Sequence, residues 1–113
     1  MAILKKNTNE HYAVIFTAKM TANRDGYAEA VEFLRSKLEK YPGFLGMESV
    51  TDTDGNEITV SYWRAMDDIK KWKSDADHKK IRRENKHIWY NDFKVRTTKI
   101  LYEYEMGEGQ EAE

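Results

Sequence analysis

The segment over residues 41–63 constrains the fold more than any other part of the chain, because it holds three structural signals in succession. Pro42 disfavours helical geometry at the residue before it and Gly43 supplies a turn, so a helix ends here. The residues that follow predict a β-hairpin, with strands over residues 45–51 and 57–63 joined by an acidic turn. A helix that leads into a hairpin is typical of an α+β fold.

One strand and one helix are predicted before the hairpin. Residues 11–20 carry apolar side chains at both parities of the alternation, as in a strand that is covered on both faces. Apolar residues recur at helical spacing over residues 27–41, which predicts a helix with one apolar face. Asn23 or Asp25 is the predicted N-cap of this helix.

Two short helices and a long strand are predicted after the hairpin. Asp67 or Asp68 is the predicted cap of the first helix, and residues 74–77 predict a break and a new cap before the second. Residues 89–105 return to a strand pattern that is longer than an average strand. The parity of the apolar residues changes near Thr97-Thr98, which predicts a β-bulge there.

The order of elements is therefore β-α-β-β-α-β, the ferredoxin-like arrangement. This is an α+β fold, with an antiparallel sheet that has helices on one face only. The other face has no helical cover, and it carries either Val60 and Tyr62 or Ser61 and Trp63. An exposed face of this size favours association, so we predict a homodimer in which two sheets pack face to face. The long last strand would tie the two sheets together.

Length and composition exclude several classes of protein. The 113 residues suffice for one domain, assigned to residues 11–105, between an N-terminal segment at 1–10 and an acidic tail at 106–113 that is predicted to be disordered. The absence of cysteine excludes disulfides, thiolate metal sites and cysteine nucleophiles. A net charge of −1 gives no reason to expect nucleic acid as a partner. No apolar run has signal-peptide or membrane-spanning length, so we expect a cytoplasmic protein with no membrane partner.

An ordered set of short motifs resembles the antibiotic biosynthesis monooxygenase (ABM) family. The motifs are Pro42-Gly43-Phe44-Leu45-Gly46, Asp54-Gly55, Ser61-Tyr62-Trp63, Trp72 with His78, and Trp89-Tyr90. The resemblance covers roughly residues 11–104. It implies a small dimeric α+β barrel, with a pocket between the helices and the sheet of each subunit.

The resemblance also implies a range of functions. Family members of known activity oxygenate electron-rich aromatic molecules without a metal or flavin, or degrade haem. We therefore predict a cofactor-independent monooxygenase that acts on a small aromatic or quinol-like molecule. Two alternatives stay open: a non-catalytic dimeric module that binds small molecules or serves a stress response, and a haem-degrading monooxygenase. Fold alone does not decide among them.

Trp72 and His78 are the candidate catalytic residues. A histidine, with an ordinary pKa near ~6.5, is suited to remove a proton from a phenol or hydroquinone. The resulting anion would pass an electron directly to oxygen. Trp72 is either a core residue or a pocket wall that stacks a flat substrate. His78 has charged neighbours in the sequence, so its alternative interpretation is a solvated helix residue.

The candidates for substrate binding are a mixture of aromatic and polar residues: Trp63, Arg82, Asn85, Tyr90 and Asn91. Trp63 is expected to face either the pocket or the dimer interface. The haem-degrading branch of the family places a histidine about ten residues beyond the tryptophan, where this chain has Arg82, and that disfavours haem. No metal site is expected, because Asp75 and His78 straddle the predicted helix break.

Overall fold

Four strands and three helices make up the part of the chain that the computed structural model describes, which is residues 6–106. The elements in chain order are β1 (Lys6–Met20), α1 (Tyr27–Leu38), β2 (Phe44–Thr51), β3 (Asn56–Trp63), α2 (Met66–Lys73), α3 (Ala76–Trp89) and β4 (Tyr90–Tyr102). The strands form one antiparallel sheet in the order β2-β3-β1-β4. The predicted α+β ferredoxin-like fold is confirmed.

The strand register decides which side chains face the helices. Val14 pairs with Ser61, and Phe16 pairs with Thr59, and all four line a cavity beneath the helices. Because side chains alternate along a strand, Val60 and Tyr62 point to the opposite face, which we call the outer face. The sequence left two pairs open for this face, and the register selects Val60 and Tyr62.

Helices α1 and α3 are antiparallel and are joined at both ends. At one end the ammonium group of Lys37 in α1 contacts Asp75 Oδ1 at 2.9 Å and Asp77 Oδ2 at 2.7 Å. At the other end the rings of Tyr27 and Trp89 meet edge to face, with their centroids 5.3 Å apart. The two helices therefore frame the space above the inner face of the sheet.

The buried core lies at one end of that space. It is formed by Leu38, Trp63, Ile69 and Trp72, with six partly buried apolar side chains packed against them. Trp63 is the largest fully buried side chain, with 1% of its surface exposed. A large aromatic ring contributes most of its stabilisation by removing apolar area from water, so this cluster anchors α1 and α2 on the sheet.

The predicted N-caps of α1 and α2 are wrong. Gly26, in the left-handed region at φ 75°, is the N-cap of α1, and neither Asn23 nor Asp25 caps it. The side chain of Asn23 instead accepts a hydrogen bond from the backbone N–H of Asp25 within the preceding turn. The N-cap of α2 is Ala65, and the two aspartates predicted as its cap lie in the first helical turn. There their charge still favours the positive end of the helix dipole.

The break and new cap predicted for residues 74–77 are present. Asp75 is the N-cap of α3, and its side chain accepts hydrogen bonds from the backbone N–H groups of Asp77 and His78. The helix then continues to Trp89, where the sequence predicted a strand. The capping hydrogen bonds fix the first turn of α3, and with it the position of His78.

The β-bulge predicted near Thr97-Thr98 is wrong. Pairing between β1 and β4 is continuous from His11↔Ile100 to Lys19↔Asp92, and its irregularities lie outside that stretch. The change in apolar parity has another cause: the first half of β4 is apolar on its inner face, and the second half is apolar on its outer face. One regular strand therefore serves two surfaces.

The ends of the sheet also differ from the prediction. Strand β1 begins at Lys6, within the segment that was set apart at residues 1–10, and β4 ends at Tyr102 rather than at residue 105. All but the first residue of the tail predicted to be disordered lies outside the described residues. Among the helices of residues 6–106, none combines the length and the apolar character that crossing a membrane requires.

Candidate functional site

A cavity of about 390 Å³ lies between the three helices and the inner face of the sheet. Most of its lining is apolar or aromatic. The residues that line it include Val14, Phe16, Tyr27, Arg35, Glu57, Thr59, Trp63, Trp72, Lys73, His78, Arg82, Lys86, Tyr90, Phe93 and Val95. A volume of this size suits a small organic molecule of a few rings.

Trp72 holds His78 at one end of the cavity. The two rings are stacked, with centroids 4.5 Å apart and an interplanar angle of 11°. The imidazole Nδ1 also lies 3.2 Å from the backbone carbonyl oxygen of Trp72. One residue therefore fixes the imidazole twice, through its indole face and through its main chain. The structure combines the two interpretations of Trp72, because the side chain lies in the core and also lines the cavity.

The contacts of His78 define its protonation state. A carbonyl oxygen can only accept a hydrogen bond, so Nδ1 carries the proton and Nε2 has a free electron pair. Burial lowers the pKa of His78, and the nearby positive charge of Arg82 lowers it further, against the opposing effect of the Trp72 carbonyl. The imidazole is therefore neutral at neutral pH. The His78 side chain lines the cavity, and the alternative interpretation as a solvated helix residue is wrong.

Trp63 faces the cavity and not the outer face. Its indole N–H donates a hydrogen bond of 2.9 Å to Ser61 Oγ, and its ring meets Phe44 edge to face at 5.4 Å. Because the N–H is already satisfied, the part of Trp63 that faces the cavity is apolar. Trp63 therefore contributes shape and surface to the site rather than a free donor.

A second polar group occupies the other end of the cavity, and we call it the Glu57 cluster: Tyr27, Glu57, Thr59 and Tyr90. Glu57 is 5% exposed, and its Oε1 accepts hydrogen bonds from the hydroxyls of Tyr27 at 3.0 Å and Tyr90 at 3.4 Å. Its Oε2 accepts one from Thr59 at 2.8 Å. A buried carboxylate is costly unless hydrogen bonds satisfy it, and here three hydroxyls do so.

The tyrosines of the Glu57 cluster stay protonated over the physiological range. Burial, followed by the adjacent charge of Glu57, raises the pKa of Tyr27 to about 12. The same two causes raise the pKa of Tyr90 as well. Each hydroxyl donates to the carboxylate, which leaves its oxygen as an acceptor at the cavity wall.

Five of the seven predicted site residues line the cavity, and two do not. Those that line it are Trp63, Trp72, His78, Arg82 and Tyr90. The side-chain amide of Asn85 donates to the carbonyl oxygen of Ile81 in its own helix, at 2.9 Å. Asn91 is exposed in β4. Neither asparagine is among the lining residues.

Sequence reasoning missed Glu57 and the polar role of Tyr27. A signal for Glu57 was present, because it shares the parity of Thr59, Ser61 and Trp63 on the inner face of β3. A charged residue at an inward strand position is unusual and indicates a satisfied or functional group. Tyr27 was assigned to the apolar face of its helix, and nothing in the sequence indicated its hydroxyl partner.

The described residues offer no metal-binding group. Within residues 6–106, no three histidine or acidic side chains converge as metal ligands would. The chemical groups that face the cavity are a neutral imidazole, several cations, phenol hydroxyls and one carboxylate. This set can remove a proton, stabilise an anion and hold an aromatic ring.

Comparisons with known proteins assign the family. The family model for antibiotic biosynthesis monooxygenases matches residues 12–84. An uncharacterised protein of Bacillus subtilis, YqjZ, is 41% identical over 90 residues, which are 80% of this chain and 79% of that protein.

Solved structures agree at the level of the fold. A Shewanella oneidensis protein superposes with a TM-score of 0.75 at 10% identity, over 89% of this chain and 100% of that one. A candidate antibiotic biosynthesis monooxygenase from Nitrosomonas europaea gives a TM-score of 0.66 at 14% identity, over 77% of this chain and 95% of that one. The family match, the relative and the shared fold lead to one conclusion, which the motifs in the sequence predicted. The chain belongs to the antibiotic biosynthesis monooxygenase family.

Proposed function

We propose that this protein is a cofactor-independent monooxygenase that acts on a phenolic or quinol-like aromatic molecule bound in the cavity. The observation that carries the proposal is the state of His78. Its imidazole is neutral, its Nδ1 is committed to the Trp72 carbonyl, and its ring is fixed by stacking. A general base needs these properties: a free electron pair and a fixed position in a largely apolar site.

The reaction begins with proton transfer from the substrate hydroxyl to Nε2 of His78. The resulting phenolate transfers one electron to O₂, which gives a phenoxyl radical and superoxide. These two combine at a ring carbon to form a C–O bond. The peroxide anion formed in this way takes back the proton held by His78. Loss of the ring C–H proton with cleavage of the O–O bond then gives a quinone carbonyl and hydroxide, and the hydroxide takes up the ring proton to form water. One oxygen atom enters the product and the other leaves as water.

Arg82 and Trp72 support this chemistry through their effects on the imidazole of His78. The positive charge of Arg82 is close enough to lower the pKa of His78, and it would also stabilise a phenolate formed beside the ring. Trp72 is a positioning residue, because it acts through its contacts with His78. The apolar sheet floor, with Val14 and Phe16, would hold the rings of the substrate.

The test compares His78→Gln with His87→Gln on the same helix. His87 is exposed and does not line the cavity, so its replacement controls for a general effect on α3. Oxygen uptake would be measured with a panel of hydroquinones and naphthols. We expect His78→Gln to lower turnover by about 100-fold or more, as removal of a general base does, with His87→Gln at the wild-type rate.

The pH profile gives a second readout. Only the neutral imidazole accepts a proton, so the wild-type rate should rise with pH through the titration of His78. Because burial lowers the pKa of His78, this limb should lie below about pH 6.5, and His78→Gln should lack it. Full activity of His78→Gln would show that the base is wrongly assigned. Absence of oxygen uptake with every substrate would favour the non-catalytic binding module.

A further inference from the structure

We propose that the cavity binds an aromatic acid whose anionic group lies between Arg35 of α1 and the cations Arg82 and Lys86 of α3. This names the substrate class of the site described above, and it rests on the proposed function only for the phenolic end of the molecule. The anionic group is a carboxylate or another anionic oxygen group such as a sulfonate.

Helix α3 presents a single column of side chains to the cavity. His78, Arg82 and Lys86 are four residues apart and so lie on one face of the helix, and all three line the cavity. Along this column, His78 is neutral, and Arg82 and Lys86 are both positively charged. One step of four residues along a helix is about 6 Å, so Arg82 lies about one ring width from His78.

Arg35 approaches the column from the other helix. Because α1 and α3 are antiparallel and Lys37 contacts Asp75 and Asp77 at the first turn of α3, Arg35 is placed at the level of the next turn. That turn carries the His78–Arg82 part of the column. Arg35 lines the same cavity, so cations from two helices face one volume.

These cations have no acidic partner in the part of the chain that the structure describes. The ion pairs among residues 6–106 join Lys37 to Asp75 and Asp77, Lys99 to Glu10, and His11 to Glu103. None of them includes a cation of the cavity: Arg35, Lys73, Arg82 or Lys86. Glu57 is the one acidic side chain among the lining residues, and three hydroxyl groups already occupy its oxygens.

Unpaired positive charge in a concave, largely apolar site attracts an anion that also has apolar surface. A cleft of one sign with low-dielectric walls concentrates its field, and guanidinium groups bind carboxylates through paired hydrogen bonds. A hydroxylated ring with its hydroxyl at His78 would place an acid group on the far side of the ring within reach of Arg82. The apolar body of the molecule would then lie on the inner face of the sheet.

Three probes with the same ring system test this inference: naphthol, hydroxynaphthoate and naphthol sulfonate, with binding measured by isothermal titration calorimetry. We expect at least one acid to bind about ten-fold or more tightly than naphthol, which corresponds to about 1.4 kcal/mol. The stronger of the two acids identifies the anionic group. The preference should shrink as ionic strength rises, because salt screens the attraction.

Two double variants provide the contrast. Arg82→Met with Lys86→Met removes both cations of the column. Lys79→Met with Arg83→Met removes two cations of the same helix at the same spacing, and neither of these lines the cavity. The first should lose the ten-fold preference for an acid over naphthol. The second should retain the preference. Loss of preference in both variants would show that the general charge of α3 is responsible, and the inference would fail.

The outcome separates this inference from the proposed function. Equal affinity for naphthol and both acids, or binding of none of the three, would overturn the aromatic-acid assignment. An acid preference without oxygen uptake would leave a binding site for aromatic acids and would remove the monooxygenase. Oxygen uptake without an acid preference would support the monooxygenase and would remove the aromatic-acid assignment.

Discussion

Glu57 is a buried carboxylate whose stability depends on its hydrogen bonds. It lies near the start of β3, on the inner face of the sheet, and it accepts hydrogen bonds from the hydroxyls of Tyr27, Thr59 and Tyr90. Removing an acceptor from buried donors leaves them without water or protein partners, which costs more than the hydrogen bond itself contributes. The Glu57 cluster therefore links β3 to the start of α1 and to the start of β4 by hydrogen bonds. It forms the polar end of the cavity.

Glu57→Gln should destabilise the fold although its size is unchanged. One of the two carboxylate oxygens becomes an amide N–H₂ group, which cannot accept from Thr59 or from the tyrosines. We expect a loss of about 1–3 kcal/mol in the free energy of unfolding, measured by urea denaturation. Glu32→Gln is the control, because Glu32 is exposed on α1, away from both the Glu57 cluster and the outer face. A similar loss in both variants would contradict the special role of Glu57.

At this scale the sequence predicted some site residues and missed others for a physical reason. The sequence named His78 and Trp72 as candidates through the family resemblance, and it did not predict that their rings stack across the break before α3. Glu57 meets Tyr27 and Tyr90, which are 30 and 33 residues away in the chain. Such contacts depend on strand register and helix placement, and no local pattern encodes them.

At the scale of elements, the turn between α1 and β2 fixes how α2 approaches the sheet. Gly43 lies in the left-handed region at φ 82°, and its carbonyl oxygen accepts from the backbone N–H of Arg64 at 2.8 Å. A Cβ atom added at Gly43 would overlap the side chain of Asp68 in α2, including its Cβ at 2.7 Å. The turn and the helix therefore pack without room for any side chain.

Gly43→Ala should be costly for two reasons, backbone strain and overlap with Asp68. Gly26→Ala is a matched control, because Gly26 has a similar φ of 75° and nothing lies within 4 Å of an added Cβ atom. We expect a loss of about 1 kcal/mol at Gly26 from strain alone, and clearly more, about 2–4 kcal/mol, at Gly43. Thermal unfolding of the two variants would measure the difference. Equal losses would mean that α2 moves away from the turn at little cost.

The elements themselves were predictable, and their ends were less so. Alternation and helical spacing predicted the order of strands and helices, because both patterns persist over many residues. Helix caps depend on one or two residues, and Gly26 and Ala65 replaced the expected side-chain caps without a side-chain hydrogen bond. The two-sided use of β4 was also hidden, since a change of face resembles a bulge in the sequence.

In the molecule as a whole, the outer face of the sheet is an apolar surface that no helix of residues 6–106 covers. Among its exposed residues are Val50, at 68%, and Ile58, at 48%, which are cross-strand neighbours on β2 and β3. Ile15 and Val60 pair beside them. The charged side chains of Lys94 and Arg96 lie on the same face at the β4 edge, so an apolar centre has a polar rim. An apolar centre with a polar rim is the composition expected of a contact surface, and it motivates the prediction of a homodimer.

We expect this face to form a homodimer with a second copy of the chain. Wild-type protein should sediment at about twice the 13.4 kDa chain mass at micromolar concentration. Ile58→Lys should weaken the dimer by about 100-fold or more, because a sheet-to-sheet contact would bury the ammonium group without a partner. Phe33→Lys is the matched control: Phe33 is as exposed, at 49%, but lies on α1, on the helical side of the sheet. A monomeric wild type, or equal weakening by both variants, would show that the outer face is not the interface and that its apolar centre serves another partner.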